Sequence, residues 1–403
     1  MVATLDVLRA EVNGLPVVAT RTPWAHATVG MLHVHNGYAT DPLGLEGVAH
    51  LTEHVCVASI ARSHDVRIFA KTDSTSTRYL LRVAPDHLPN LAGAVSAMFA
   101  PVAHDQRLHD NETNAVIIEM ARLADQPQLS VSPAVATSGY PGLDVSLPDT
   151  ATTESVRALT PADVLAFRRA TYHPNRAVLC LVGPNDPREL LDLLAAEMDV
   201  REAPVGPAGS ASGLAPGDLP TRDWPARDLG GSCALVLGAL TAPARSSADL
   251  AARHIASELF AGTPGMLDDL AGRLGARSSA FSILVGREHN LLVVGWPPGP
   301  AVDDLAAEVA AAIADPDAHR PDADTVAGVR ARVVSRVAFD LQSSEGLAQM
   351  LLRHATGTGP WPATDTFETL PDTAVADAAV HLLRSARLWR IADGALAEVE
   401  AGR

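Results

Sequence analysis

Residues 47–54 read GVAHLTEH, a run in which two histidines stand four positions apart with a glutamate just before the second. In a helix, residues four apart project from one face, one turn apart, so His50 and His54 can bind one metal ion together. Glu53 lies beside that face, where its carboxylate can hold a metal-bound water and accept its proton during attack on a carbonyl. The pattern therefore predicts a helix that carries a hydrolytic zinc site.

A third protein ligand has to come from elsewhere, because a catalytic zinc takes three protein ligands and keeps its fourth position for water. The run at 112–119 supplies candidates in Glu112 and Glu119, which lie seven positions apart. Seven residues make about two helical turns, so both carboxylates face the same way.

The motif stands among runs that predict alternating strands and helices. Asn13-Gly14 is a strong hairpin signal between two strand-like runs, and residues 27–35 alternate with a period of two. Further strands are predicted at 79–83, 177–183, 233–240 and 291–296. Helices are predicted at 47–59, 88–99, 111–124, 161–169, 188–198, 248–260, 302–314 and 323–337. The second half of the chain thus repeats the order of strands and helices of the first.

A change of composition separates the two halves. Residues 203–226 hold five prolines, four glycines and few large apolar side chains, which is typical of an interdomain linker. We therefore predict a zinc-binding domain at 1–202 and a second domain without metal ligands at 227–403.

Composition also limits the class of function. The formal net charge is −16, and no cluster of lysine and arginine indicates a nucleic-acid binder. No apolar run reaches the length of a membrane span, and the first residues lack the pattern of a secretory signal. Three widely separated cysteines are typical of a reducing compartment. We expect a cytoplasmic protein that binds neither nucleic acid nor membranes.

Over most of its length the chain resembles the pitrilysin/insulinase-type zinc metallopeptidases, and most of all the short-chain bacterial branch similar to the mitochondrial processing peptidase subunits. The resemblance is carried by the opening hairpin at 13–15 and by the stretches 35–37, 47–54, 70–72, 77–79, 112–119 and 172–183. It implies an α+β fold of two homologous halves that form a clamshell, each a mostly antiparallel sheet with helices packed on one face. Peptides would then enter as an added edge strand.

For the site, the resemblance implies that His50, His54 and Glu119 bind zinc and that Glu53 is the general base. It also implies that Glu112 is catalytic, as a residue that supports the zinc ligands without binding zinc itself. The stretch between His54 and Glu119 is shorter than in the family, so Glu112 stays open as the alternative ligand.

The second half departs from the family pattern. Members that act alone carry an arginine and a tyrosine there, which hold the substrate carbonyl. The matching positions fall near Ala271 and Ser278, and Arg273, Arg277 and Phe281 are the candidate substitutes with a shift of register. This departure resembles the catalytic subunit of two-subunit members, whose homologous partner supplies both residues. We therefore expect a heterodimer with such a partner, or otherwise a homodimer.

Together these features predict a zinc metalloendopeptidase that cleaves short or unfolded peptides as the catalytic subunit of a two-subunit processing peptidase, with leader-peptide removal as one role. The alternative is a noncatalytic structural or scaffold member of the same family. Such members usually lose motif residues, whereas here all of them are present. A third alternative is an unrelated two-domain protein with a chance motif, which an absence of bound metal would favour.

Overall fold

The structure is a computed structural model and describes residues 6–63, 65–101, 104–124, 127–141, 150–198, 233–276, 279–285, 289–361 and 363–399. The strands are β1 (Val7–Val12), β2 (Leu15–Arg21), β3 (Thr28–Val34), β4 (Arg67–Thr72), β5 (Thr77–Val83), β6 (Ala177–Gly183), β7 (Leu235–Leu240), β8 (Ser279–Val285), β9 (Asn290–Trp296), β10 (Arg387–Ala392) and β11 (Ala395–Glu398). They form two sheets, and every neighbouring pair is antiparallel except β2 with β6.

The helices among the described residues are α1 (Val48–Ser63), α2 (Leu88–Phe99), α3 (Gln106–Ala124), α4 (Pro127–Gly139), α5 (Thr153–Ala158), α6 (Pro161–Thr171), α7 (Pro187–Glu197), α8 (Ser247–Ala261), α9 (Met266–Arg273), α10 (Val302–Ala314), α11 (Ala323–Asp340), α12 (Ser344–Ala355), α13 (Asp365–Glu368) and α14 (Asp372–Ser385). The predicted α+β class with mostly antiparallel sheets is confirmed. Of these helices, none combines the length and the hydropathy of a transmembrane span.

The chain divides into two compact units. The first takes its residues from Met1–Arg122, Asp149–Asp218 and Phe339–Thr356, and the second from Leu123–Pro148, Leu219–Ala338 and Gly357–Arg403. Neither unit is one continuous stretch, because α12 belongs to the first unit and α4 to the second. The predicted linker at 203–226 lies outside the described residues, and the boundaries proposed along the sequence stay a prediction.

The first unit is built on a six-stranded sheet with the order β1-β2-β6-β3-β5-β4. The predicted hairpin joins β1 to β2, where Asn13 and Gly14 both have positive φ, of 49° and 83°, as a tight two-residue turn requires. Every second residue of the central strands, such as Leu32 and Leu81, packs into one core with α1, α2 and α7. Helix α12 packs on β3 and β6 from the opposite face, where Glu345 forms an ion pair with Arg82.

Helix α1 is enclosed on both sides by apolar residues. Its Cys56 and Ile60 belong to the core against the sheet, whereas Val48, Leu51 and Val55 pack with residues of α3, α5 and α6 in a second cluster. A helix that is apolar around most of its circumference is buried. The helix that carries the metal motif is therefore held rigidly between a sheet and a helical layer.

The second unit is built on a five-stranded sheet with the order β11-β10-β7-β9-β8. Helix α4 packs on β7, β8 and β9, and its Val131 and Val135 share a core with Trp389 of β10. The hydroxyl of Tyr140, just after α4, lies 2.7 Å from the carbonyl oxygen of Gly238 and 2.8 Å from that of Ser385. These contacts explain why α4 belongs to this unit although it precedes β7 by almost a hundred residues.

Candidate metal centre

The metal motif occupies the first turns of α1, and the start of this helix is fixed by two features. The carboxylate of Asp41 accepts hydrogen bonds from the backbone N–H groups of Gly47, at 2.6 Å, and Ala49, at 3.0 Å. Gly47 has φ +95°, and a Cβ atom there would lie 2.7 Å from Cγ2 of Val156. Glycine is required at this position, and the buried carboxylate satisfies N–H groups that have no partner within the helix.

Three side chains converge at this end of α1. Nε2 of His54 lies 3.3 Å from Oε2 of Glu119, and Nε2 of His50 lies 3.8 Å from the same oxygen. One ligand atom from each of His50, His54 and Glu119 lies within 4.8 Å of the others. Tetrahedral zinc with bonds of about 2.0–2.1 Å places its ligand atoms roughly 3.3 Å apart. The separation and the chemistry of these donors therefore fit one zinc ion after a small contraction.

The charge of this cluster also fits a cation. The nearby imidazoles, that of His50 first and that of His54 second, lower the pKa of Glu119 to about 2. Glu119 is therefore ionised over the whole neutral range, which is the form that ligates a metal.

Glu53 lies apart from this group of three. Its side chain is nearly buried, with 6% of the residue exposed, and one carboxylate oxygen accepts a hydrogen bond of 2.6 Å from the hydroxyl of Thr72 at the end of β4. Burial raises the pKa of Glu53 above its ordinary value, although His50 and the bond from Thr72 oppose the rise. A carboxylate with a raised pKa is a better proton acceptor near neutrality.

Glu112 lies on the far side of His54. Its Oε2 is 3.5 Å from Nδ1 of His54, whereas Nε2 of the same ring faces Glu119. A carboxylate at the second nitrogen of a metal-binding histidine fixes the tautomer and the ring orientation. Glu112 contributes none of the three clustered ligand atoms. The placement favours the supporting role for Glu112 over the alternative of a ligand, and both roles stay predictions.

The predicted substitutes in the second half fall in different places. Ala271 is buried in α9, and Arg273 is the last residue of that helix with an exposed side chain. Arg277 and Ser278 lie outside the described residues, and of Phe281 only the backbone, in β8, is described. The assignment of a substrate-holding arginine and tyrosine therefore stays a prediction.

The structure adds two residues that the sequence did not single out, Asp41 and Thr72. Asp41 lies seven residues before Val48, the first residue of α1, without the fixed spacing of a capping box. Thr72 reaches Glu53 across 19 residues. The one local signal was the threonine pair Thr72 and Thr77 flanking a short turn, whose hydroxyl oxygens lie 3.3 Å apart.

Comparison with known proteins supplies an independent view of the chain. The family model described as the Peptidase M16 inactive domain matches residues 158–314. An uncharacterized zinc protease of Streptomyces coelicolor is 24% identical over 215 residues, which are 51% of this chain and 46% of that protein. The match thus spans about half the length of that relative. The matched family segment begins after the residues of the metal centre.

Solved structures share the fold. A protease from Helicobacter pylori is similar with a TM-score of 0.73 at 14% identity, over 96% of this chain and 99% of that chain. Pitrilysin is similar with a TM-score of 0.67 at 17% identity, over 99% of this chain and 46% of that chain.

Proposed function

We propose that the chain is a member of the pitrilysin/insulinase family of peptidases and that it is a zinc metalloendopeptidase that hydrolyses short or unfolded peptides. One observation carries the proposal. His50, His54 and Glu119 bring three metal-ligand atoms within 4.8 Å of one another, and Glu53 adds a buried carboxylate on α1, the helix of the two histidines.

In this proposal His50, His54 and Glu119 would hold the zinc ion. Zinc bound there would polarise the scissile carbonyl and lower the pKa of a water molecule. Nitrogen and carboxylate ligands from three residues are the donor set of a catalytic zinc site rather than a structural one.

The chain's own residues perform the proton transfers. Glu53 accepts a proton from the attacking water and delivers it to the leaving amine, and the hydrogen bond from Thr72 keeps its carboxylate in one orientation. Glu112 holds the ring of His54 through Nδ1. Asp41 keeps the first turn of α1 in place, so that His50 does not move with a fraying helix end.

We further propose that a homologous partner subunit supplies an arginine and a tyrosine that hold the substrate carbonyl. The support is that the matching positions, near Ala271 and Ser278, carry neither residue. The chain would then be the catalytic subunit of a two-subunit processing peptidase that removes leader segments, or failing that a homodimer. Among the described residues the three cysteines are buried and form no disulfide, which is consistent with a cytoplasmic enzyme.

A noncatalytic scaffold is the second candidate, because the matching family model is described as an inactive domain. That model covers residues 158–314, whereas the metal centre lies between His50 and Glu119. A scaffold has no need for a buried general base beside three clustered ligands, so the peptidase is the better supported function.

Cleavage of a mixed library of unstructured peptides by the purified, zinc-loaded chain tests the proposal, with Glu53→Gln as the matched control. Cleavage that disappears in Glu53→Gln supports the peptidase and contradicts the need for a partner. If the wild-type chain binds one zinc but cleaves nothing, a homologous partner subunit that co-purifies with the chain is added. Activity that appears on addition, and again depends on Glu53, supports the two-subunit enzyme. An inactive chain under both conditions supports the scaffold.

A further inference from the structure

The edge strand β4 and its neighbour β5 present a basic face on an otherwise acidic protein. Side chains alternate across a sheet, and on the face opposite the core these strands carry Arg67, Phe69, Lys71, Arg78 and Arg82, which we call the basic edge face. Lys71 is the one lysine of the chain, whose formal net charge is −16. Its side chain is 71% exposed, and Phe69 is 45% exposed.

The basic edge face is organised around Phe69. The guanidinium carbons of Arg67 and Arg82 lie 5.0 Å and 5.2 Å from the centre of its ring, one on the same strand and one on β5. Cations within about 6 Å of an aromatic face are attracted to it. The two arginines are thereby held beside an exposed ring.

Positive charge remains after the local ion pairs are counted. Asp73 pairs with both Lys71 and Arg78, and Glu345 of α12 pairs with Arg82. Within the described part of the chain, Arg67 has no carboxylate partner. Four cations therefore face two carboxylates at this edge.

Strand β4 connects the basic edge face with Glu53, which lies on the other side of the sheet. Thr72, the last residue of β4, donates its hydroxyl hydrogen bond to Glu53. In the described sheet β4 pairs only with β5, so its outer backbone groups are open to another strand. An extended segment that pairs with β4 would lie about 4.8 Å from that strand and pass Thr72, next to Glu53. Its alternate side chains would lie on the side of the basic edge face.

The pairing fixes which residues of such a segment meet the cations. Every second residue of an added strand lies on one face, so positions i, i+2 and i+4 lie opposite Arg67, Phe69 and Lys71. The order of these pairs is reversed if the strand runs in the other direction. Opposite charges across two strands attract, whereas like charges repel. The complementary segment is acidic at i and i+4 and apolar at i+2.

We propose that the basic edge face selects extended peptide segments with acidic residues at i and i+4 around an apolar residue at i+2. This inference rests on the proposed function, because it names the substrate class of the same site. A competing explanation is that the cations only protect an exposed sheet edge from aggregation. That explanation predicts no selection among peptides.

The test compares three fluorescent peptides that are identical except at i and i+4, where they carry glutamate, glutamine or lysine. Binding to the full-length, zinc-loaded Glu53→Gln protein is measured by fluorescence anisotropy at low and high salt, and cleavage of the same peptides is measured with the wild-type protein. The glutamate peptide is expected to bind about 10-fold more tightly than the lysine peptide, because two cross-strand pairs change from attraction to repulsion. The ratio should fall towards one at roughly 0.5 M salt, because screening weakens exposed charges.

Charge reversal supplies the matched variants. Arg67→Glu combined with Lys71→Glu should invert the preference, since both side chains are exposed and their removal leaves the core intact. Arg9→Glu is the control, because Arg9 is an exposed arginine on β1, the edge strand at the other end of the same sheet. It should leave the preference unchanged.

Each outcome decides the inference. The inference is overturned if no peptide binds, if binding shows no charge preference, or if the preference is the same in all variants. Charge-selective binding without cleavage by wild type, alone or with its partner, keeps the inference and removes the proposed peptidase activity. Cleavage without charge selection supports the proposed peptidase activity and overturns the inference.

Discussion

Asp41→Ala should destabilise the first unit and loosen the metal centre. In the native protein this buried carboxylate accepts the N–H groups of Gly47 and Ala49 at the start of α1. Alanine removes both acceptors and leaves two N–H groups without their partner in a region closed to water. The negative charge that favours a helix N-terminus is lost as well.

The size of the effect follows from these two bonds. A hydrogen bond to a charged group contributes about 1.5–3 kcal/mol to stability. Two such bonds predict a loss of about 3–6 kcal/mol in the free energy of unfolding of Asp41→Ala. Asp41→Asn keeps one acceptor oxygen and loses the charge, so it should cost about half as much.

Urea denaturation followed by circular dichroism measures both variants, and a chelator competition measures their affinity for zinc. Glu46→Ala is the matched control, because Glu46 also accepts a backbone N–H group, that of Gly44 at 3.0 Å, but at an exposed site. It should change stability by less than about 0.5 kcal/mol. Zinc should bind more weakly to Asp41→Ala, since His50 lies in the first turn of α1. A loss below about 1 kcal/mol for Asp41→Ala would refute the reasoning.

Three further outcomes are expected. Gly47→Ala should lose about 2–4 kcal/mol of stability in urea denaturation, because alanine is strained at φ +95° and its Cβ meets Val156; an unchanged midpoint would contradict the geometry. Glu112→Ala should bind one zinc with 10- to 100-fold lower affinity in chelator competition, since it orients His54; complete loss of zinc would instead make Glu112 a ligand. Burial raises the pKa of the Cys180 thiol to about 12, above its value of about 8.5 in the unfolded chain. The stability that the buried neutral thiol contributes is therefore complete below about pH 8.5 and is lost as the pH rises towards 12. The fall in unfolding free energy between about pH 9 and 12 should be less steep in Cys180→Ala than in wild type, and equal slopes would contradict this prediction.

Much of the fold was predictable because its elements carry strong local patterns. The predicted bounds of 88–99 and 177–183 coincide with α2 and β6, where apolar residues recur with clear helical spacing or form one buried run. The Asn13-Gly14 hairpin was predictable because both residues tolerate positive φ.

The assignment of α4 and α12 to units was not predictable in the same way. Neither helix was predicted from the sequence, and nothing in a single helix determines which of two sheets it packs on. Pro133 inside α4 further weakens its helical pattern. The choice depends on long-range contacts such as that of Tyr140 with Gly238.

For the candidate site, spacing accounts for the two histidines and Glu53, because residues on adjacent helical turns meet without knowledge of the fold. Glu119 could be placed on the same face as Glu112 by periodicity, but only the packing of α3 beside α1 distinguishes their positions around His54. Asp41 and Thr72 act through contacts between separate elements, so no local pattern shows which groups they contact.

The most direct test of the central claim is anomalous diffraction at the zinc edge from crystals of the zinc-loaded protein. We predict one zinc peak about 2.0–2.2 Å from Nε2 of His50, Nε2 of His54 and a carboxylate oxygen of Glu119, with Glu53 and Glu112 outside the coordination sphere. A zinc ion held by Glu112 in place of Glu119, or bound directly by Glu53, or absent from this cluster, would contradict it.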